Sequence, residues 1–119
     1  MRYIKGNKVL FCMLFLSFAV TLAYAFYWQI NPVVDAKAYD NIAQNLLLGN
    51  GFVENANIDI KFDRAITRVG PLYQFILAGI YAIFGRNFAP VWFFQALLHV
   101  LSAYFVYLTA KIIFKDNEK

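Results

Sequence analysis

The apolar positions of this chain fall into long blocks rather than short periodic runs. Val9 to Ile30 contains no charged residue. At ~1.5 Å of rise per residue, such a block reaches ~33 Å as a helix, enough to cross the ~30 Å hydrocarbon core of a bilayer. Its far end carries Tyr24, Phe26, Tyr27 and Trp28, aromatic residues of the kind that collect at a membrane–water interface. Ser17, Thr21, Tyr24 and Trp28 recur at helical spacing and mark one face able to meet other helices. The same N-terminal pattern admits a rival reading as a cleaved secretory signal. Arg2 to Lys8 would be its basic region and Ala23-Tyr24-Ala25 its small-x-small cleavage site. The apolar block runs on to Ile30, longer than an ordinary signal core, so a retained span over 9–30 is expected.

After the turn signal Asn31-Pro32 the period changes. Tyr39, Ile42, Ala43, Leu46 and Leu47 follow the i, i+3, i+4, i+7, i+8 pattern of an amphipathic helix over about 36–48, opened by Asp35. Lys37, Asp40, Asn41, Gln44 and Asn45 are placed largely on its polar side. Gly49 supplies a stop and Asn50-Gly51 a following turn. Such a helix would lie on the outer membrane surface or pack over a bundle. Phe52 to Val69 alternates loosely, with Ile58, Ile60 and Phe62 as a short candidate strand. A second apolar block, Leu72 to Phe84, follows Pro71 and ends at Gly85-Arg86-Asn87. It is shorter than the ~20 residues a spanning helix needs, which predicts an interfacial or re-entrant helix. The third block, 91–113, is long enough to span, with Phe88, Trp92, Phe93 and Phe94 at one end and Lys111 and Lys115 at the other.

The fold class read from this pattern is all-α integral membrane. Two transmembrane helices, 9–30 and 91–113, flank an outer loop over 31–71 with its surface helix and the short helix 72–84, before a tail over 114–119. Charge fixes an expected orientation. Arg2, Lys5 and Lys8 precede the first span, and Lys111, Lys115 and Lys119 close the chain, while the 31–72 stretch, with five acids and four bases, is nearly neutral. The positive-inside rule therefore puts both termini in the cytoplasm and residues 31–90 outside. The net charge of +4 does not point to nucleic acid, because no basic cluster is interleaved with aromatics in a polar segment. The single cysteine, Cys12, sits in an apolar run, and no metal-type Cys/His spacing occurs.

Three places could carry chemistry. Asp35 stands just past the first span at a helix start, where it reads either as an N-cap or as a general base or metal ligand at the membrane boundary. Arg68 precedes Gly70-Pro71 and reads either as a phosphate holder or as an arginine among lipid headgroups. Gln95, His99 and Ser102 share one face of the last span, which points to interhelical hydrogen bonding ahead of catalysis. No catalytic constellation is complete in these residues alone.

The middle of the chain resembles the polytopic, lipid-dependent glycosyltransferases of the GT-C fold. It is most similar to bacterial relatives of the dolichyl-phosphate-mannose protein mannosyltransferases and the lipid A aminoarabinose transferases. The stretches that carry the resemblance are Asp35 with Tyr39, Ile42-Ala43, Asn45 to Gly49, and Gly51-Phe52, followed by Pro71-Leu72-Tyr73, Leu77-Ala78, Tyr81, Phe84-Gly85 and Gln95 to Leu98. Together they cover about 31–114. The resemblance implies an inverting enzyme that moves a sugar from a polyprenyl-phosphate donor to an extracytoplasmic acceptor, in a bacterial inner membrane. It implies Asp35 as the catalytic carboxylate, Arg68 and Tyr39 as substrate-binding residues, and a divalent cation as a possible cofactor. The partners it implies are membrane lipid, lipid-linked sugar and further transmembrane helices of the same or another chain. Members of that group are several times longer, so this chain is expected to be the N-terminal part of a longer enzyme and too short to be active alone. The alternative is a small non-catalytic membrane protein that docks onto a larger complex.

Overall fold

Both long apolar blocks form helices in the computed structural model, which describes residues 2–59, 61–63 and 70–115, with the side chains of 8–59, 61–63 and 70–114. The described residues make four helices and no strand: α1 (Arg2–Trp28), α2 (Asp35–Leu47), α3 (Pro71–Phe84) and α4 (Phe88–Lys115). The chain divides into two compact units, Met1–Gln29 with Trp92–Lys119, and Ile30–Val91.

The first unit pairs α1 with most of α4. Lys8–Trp28 (21 residues) and Phe88–Phe114 (27 residues) are long and apolar enough to cross a membrane. Their large apolar side chains face outward: Phe11, Phe15, Leu16 and Val20 on α1 and Phe105, Val106 and Ile112 on α4 are all exposed. A face of that kind is stable against hydrocarbon, not against water. This is an all-α membrane protein. α1 begins well before Val9, since the basic residues at its start are good helix formers, and it ends at Trp28. There the Gln29 N–H bonds back to the Ala25 carbonyl at 3.0 Å, and Gln29 takes φ 43°, a left-handed stop two residues earlier than the apolar pattern alone predicts. α4 likewise starts at Phe88 rather than Val91. The Asn87 side-chain oxygen accepts the Ala89 N–H at 2.9 Å, and Pro90 is tolerated in a first turn, where its missing N–H costs nothing.

Within this unit the two helices touch along specific side chains. The Phe18 and Phe93 rings meet edge to face at 5.4 Å, and Phe26 meets Trp92 in the same way at 5.4 Å. His99 Nε2 and Ser17 Oγ are 3.1 Å apart. Of the polar face expected to meet another helix, His99 meets α1. Ser102 turns its hydroxyl to its own helix, donating to the Leu98 carbonyl at 2.9 Å.

The second unit is built on α2 packed against α3. Ala43 of α2 is buried with Leu77, Ala78 and Tyr81 of α3 and with Val91, and Tyr39, Leu46, Tyr73, Ile80 and Phe88 pack around them. The two alanines let the backbones approach closely. A thirteen-residue helix is marginal in isolation, so this packing is what holds α2 in shape. α3 starts with Pro71 in its first turn, where proline is pre-organised for a helix.

The segment after α2 folds back onto the pair. Gly49 (φ 79°) and Gly51 (φ 84°) both take left-handed conformations, which only glycine adopts without cost. The Asn45 side-chain amide donates to the Val53 carbonyl at 2.9 Å, and Phe52 stacks on Phe75 of α3 at 6.1 Å. Of the candidate strand, Ile58 and Phe62 lie in turns and bends, and Ile60 lies outside the described residues. Around them, acidic and amide side chains capture backbone donors. Asp63 Oδ2 accepts the N–H groups of Glu54 and Asn55, each at 2.9 Å, and Asp59 Oδ1 accepts that of Lys61 at 2.9 Å. Short Asx contacts of this kind offer the backbone an alternative to a strand ladder.

Candidate functional site

α2 is where the candidate residues gather. Asp35 is its first helical residue and is exposed. The cap position itself belongs to Val34, at φ 49° and with no side-chain bond to the helix. Asp35 is therefore not the N-cap. Its carboxylate stands one residue inside, where the partial positive charge of the helix N-terminus favours an anion. Tyr39 follows one turn later, half-buried, with its ring against Tyr73 of α3 edge to face at 5.6 Å. The structure thus puts Asp35 and Tyr39 on adjacent turns of one helix and ties Tyr39 to α3. Arg68 lies outside the described residues.

The best-defined polar geometry sits on the next residue of the same helix. Asp40, placed by the periodicity on the polar side, is buried, with 3% of its surface exposed. The reason is a set of donors that satisfies both carboxylate oxygens. Oδ1 accepts the Tyr81 hydroxyl at 2.8 Å and the Arg86 Nε–H at 3.4 Å. Oδ2 accepts an Arg86 Nη2–H at 2.6 Å and the Gln44 side-chain amide at 3.1 Å. A buried carboxylate is tolerated only when paired and hydrogen-bonded in this way. Arg86 comes from the α3–α4 turn and grips Asp40 with two N–H groups of its guanidinium, the geometry that makes arginine rather than lysine suited to carboxylates.

The network also shifts the groups that form it. Burial, reinforced by the hydrogen bond to Asp40, pushes the Tyr81 hydroxyl far above the ordinary tyrosine range, so it stays a donor. Its hydrogen bond to Asp40 raises Arg86 further above its already high value. Asp40, Tyr81, Arg86 and Gln44 were not singled out from sequence. The i, i+4 pair Asp40–Gln44 is a faint signal of a local bond, but nothing local links Asp40 to a residue forty-six positions away.

On α3 the stripe that faces inward holds one further polar group. Gln74 is fully buried, and neither its side-chain oxygen nor its nitrogen has a hydrogen-bond partner. Among the described residues, no group of three or more His, Cys, Asp or Glu side chains comes together.

Against known proteins, residues 68–118 match the family model of the dolichyl-phosphate-mannose-protein mannosyltransferases. No curated protein and no solved structure matches the chain. The matched stretch takes in all of α3 and α4. Over these residues the match agrees with the resemblance read from the sequence. It begins at Arg68; Asp35 and Tyr39 lie upstream of it.

Proposed function

We propose that this chain forms part of a membrane glycosyltransferase that moves a sugar from a polyprenyl-phosphate donor to an acceptor on the outer side of the membrane. The observation that carries the reading is the match of residues 68–118 to a mannosyltransferase family, in a chain whose two candidate spans bracket an exposed carboxylate at Asp35. Orientation follows from charge: basic residues outside both spans put the termini in the cytoplasm and α2 outside.

In the proposed reaction an acceptor hydroxyl attacks the anomeric carbon from the face opposite the lipid phosphate. A new C–O bond forms, the bond from that carbon to the phosphate oxygen breaks, and the polyprenyl phosphate leaves with the electron pair. Asp35 takes the hydroxyl proton, a role open to an exposed carboxylate at a membrane boundary. The leaving phosphate needs a cation, and Arg68 supplies it by charge-assisted hydrogen bonds. Tyr39 borders the donor beside Asp35. Inversion at the anomeric carbon follows from a single displacement.

The test is Asp35→Asn in the native membrane protein. Transfer to the acceptor should fall by the ~10²–10⁴-fold typical of a lost general base, with membrane insertion unchanged. Normal transfer by this variant would sink the assignment. The docking alternative draws on the exposed face of Gln95, His99 and Ser102, where His99 Nε2 lies 3.1 Å from Ser17 Oγ and Ser102 donates to the Leu98 carbonyl.

A further inference from the structure

Asp40 occupies a particular place relative to Asp35. The two are five positions apart on α2, so helix geometry separates them by ~7.5 Å along the axis and by about 140° around it. Asp40 points into the α2–α3 interface, and Asp35 must therefore point away from it, as its exposure shows. A carboxylate held at both oxygens adds a directional constraint to the apolar packing of Ile42 and Ala43. Tyr81 fixes Asp40 to α3 and Arg86 fixes it to the α3–α4 turn, which locks both the rotation and the axial position of α2.

We infer that Asp40 is a positioning residue for the proposed transfer: the Asp40–Tyr81–Arg86 network sets the angle at which α2 presents Asp35. This rests on the functional reading given above. It follows from geometry that the network acts at a distance from the chemistry. Asp40 has almost no exposed surface to offer a substrate, and its donors fill its acceptor sites. Arg86, with its side chain 56% exposed against 5% for Asp40, is the solvent-facing half of the lock. Releasing the lock lets α2 turn, and even a shift of ~1 Å in a reacting group can cost on the order of 100-fold in rate.

The experiment compares Asp40→Asn with wild type in the native membrane protein, normalised to inserted protein. Asn keeps the shape and an acceptor for Tyr81 but loses the charge that holds Arg86. The expected result is normal insertion, a fall in kcat of up to ~100-fold, and little change in KM. In an Asp35→Asn background the same change should cost nothing more, because Asp40 acts only through Asp35. A wild-type kcat for Asp40→Asn would overturn the inference, as would an additive loss in the Asp35→Asn background. A second readout is independent of catalysis. Ala36→Cys, in a Cys12→Ser background, is labelled with a water-soluble maleimide, and the rate is expected to change several-fold when Asp40→Asn is added. An unchanged rate overturns the lock. Full activity of Asp35→Asn would overturn the functional reading instead, and the labelling result then judges the lock by itself.

Discussion

The Tyr81 hydroxyl donates to Asp40 Oδ1 at 2.8 Å, joining residues forty-one positions apart across the α2–α3 interface. Both residues are buried, so water cannot replace either partner. Tyr81→Phe removes the donor and keeps the ring, leaving Asp40 with Arg86 and Gln44. A hydrogen bond to a charged group contributes about 1.5–3 kcal/mol. The variant should unfold more readily in detergent by an amount within that range, measured as a lower melting midpoint. Wild-type stability would mean that Arg86 and Gln44 alone satisfy the carboxylate.

The same hydroxyl gives a pH dependence whose sign is fixed. Burial, then the bond to Asp40, raises the Tyr81 pKa above its usual value near 10. A group whose pKa is raised on folding contributes stability that is complete below its unfolded value and is lost as pH rises through the folded one. The α2–α3 pair should therefore be insensitive to pH up to about 10 on account of this group and weaken at more alkaline pH. Circular dichroism along an alkaline titration reads the loss, and Tyr81→Phe should remove that component of it.

His99 and Ser17 offer a measurement inside the first unit. Their side-chain atoms are 3.1 Å apart, between the two helices long enough to span. Interhelical hydrogen bonds in membranes average ~0.6 kcal/mol, with a maximum near 1.7. A double-mutant cycle of Ser17→Ala and His99→Ala should return a coupling energy in that interval. Zero coupling would assign the pairing of α1 and α4 to ring contacts such as Phe18–Phe93 alone.

The elements were legible where one period dominates. Long apolar blocks could only be α1 and α4, and the Ile42, Ala43 and Leu46 spacing marked the inner face of α2. Asp40 shows the limit of that reading. The helical period put it on the polar side, but burial depends on Tyr81 and Arg86, and their proximity arises only when α2 packs on α3. The stretch around Ile58 failed for a related reason. Its alternation suits a strand, but no second strand exists among the described residues, and Asp59 and Asp63 take the backbone donors instead. Asp35 was singled out by its place just past the first span and Tyr39 by the resemblance, and the structure adds their placement on adjacent turns of one helix.

Glycines supply a pair of opposite expectations from the same substitution. A Cβ on Gly49 or on Gly79 would meet nothing within 4 Å, so only the backbone decides. Gly49 sits at φ 79°, where an L-residue is strained by about 1–2 kcal/mol. Gly79 lies inside α3, where alanine is favoured by about 0.5–1 kcal/mol. Gly49→Ala should lower the melting midpoint and Gly79→Ala should raise it.

Gln74 carries the last prediction. A fully buried amide without a partner costs its desolvation, about 1–3 kcal/mol. Leu has nearly the same volume and no polar atoms, and it would extend the apolar stripe of Leu77 and Ala78. Gln74→Leu should therefore raise the melting midpoint in detergent, since it exchanges an unpaired polar group for packing. It should leave the Asp40 network untouched, because none of that network's bonds involve Gln74. Combined with Tyr81→Phe, the two effects should then add, as independent sites do. A lower midpoint for Gln74→Leu would show that the amide is hydrogen-bonded in the native membrane. A raised midpoint with lost transfer would make Gln74 a group kept for function at a cost in stability.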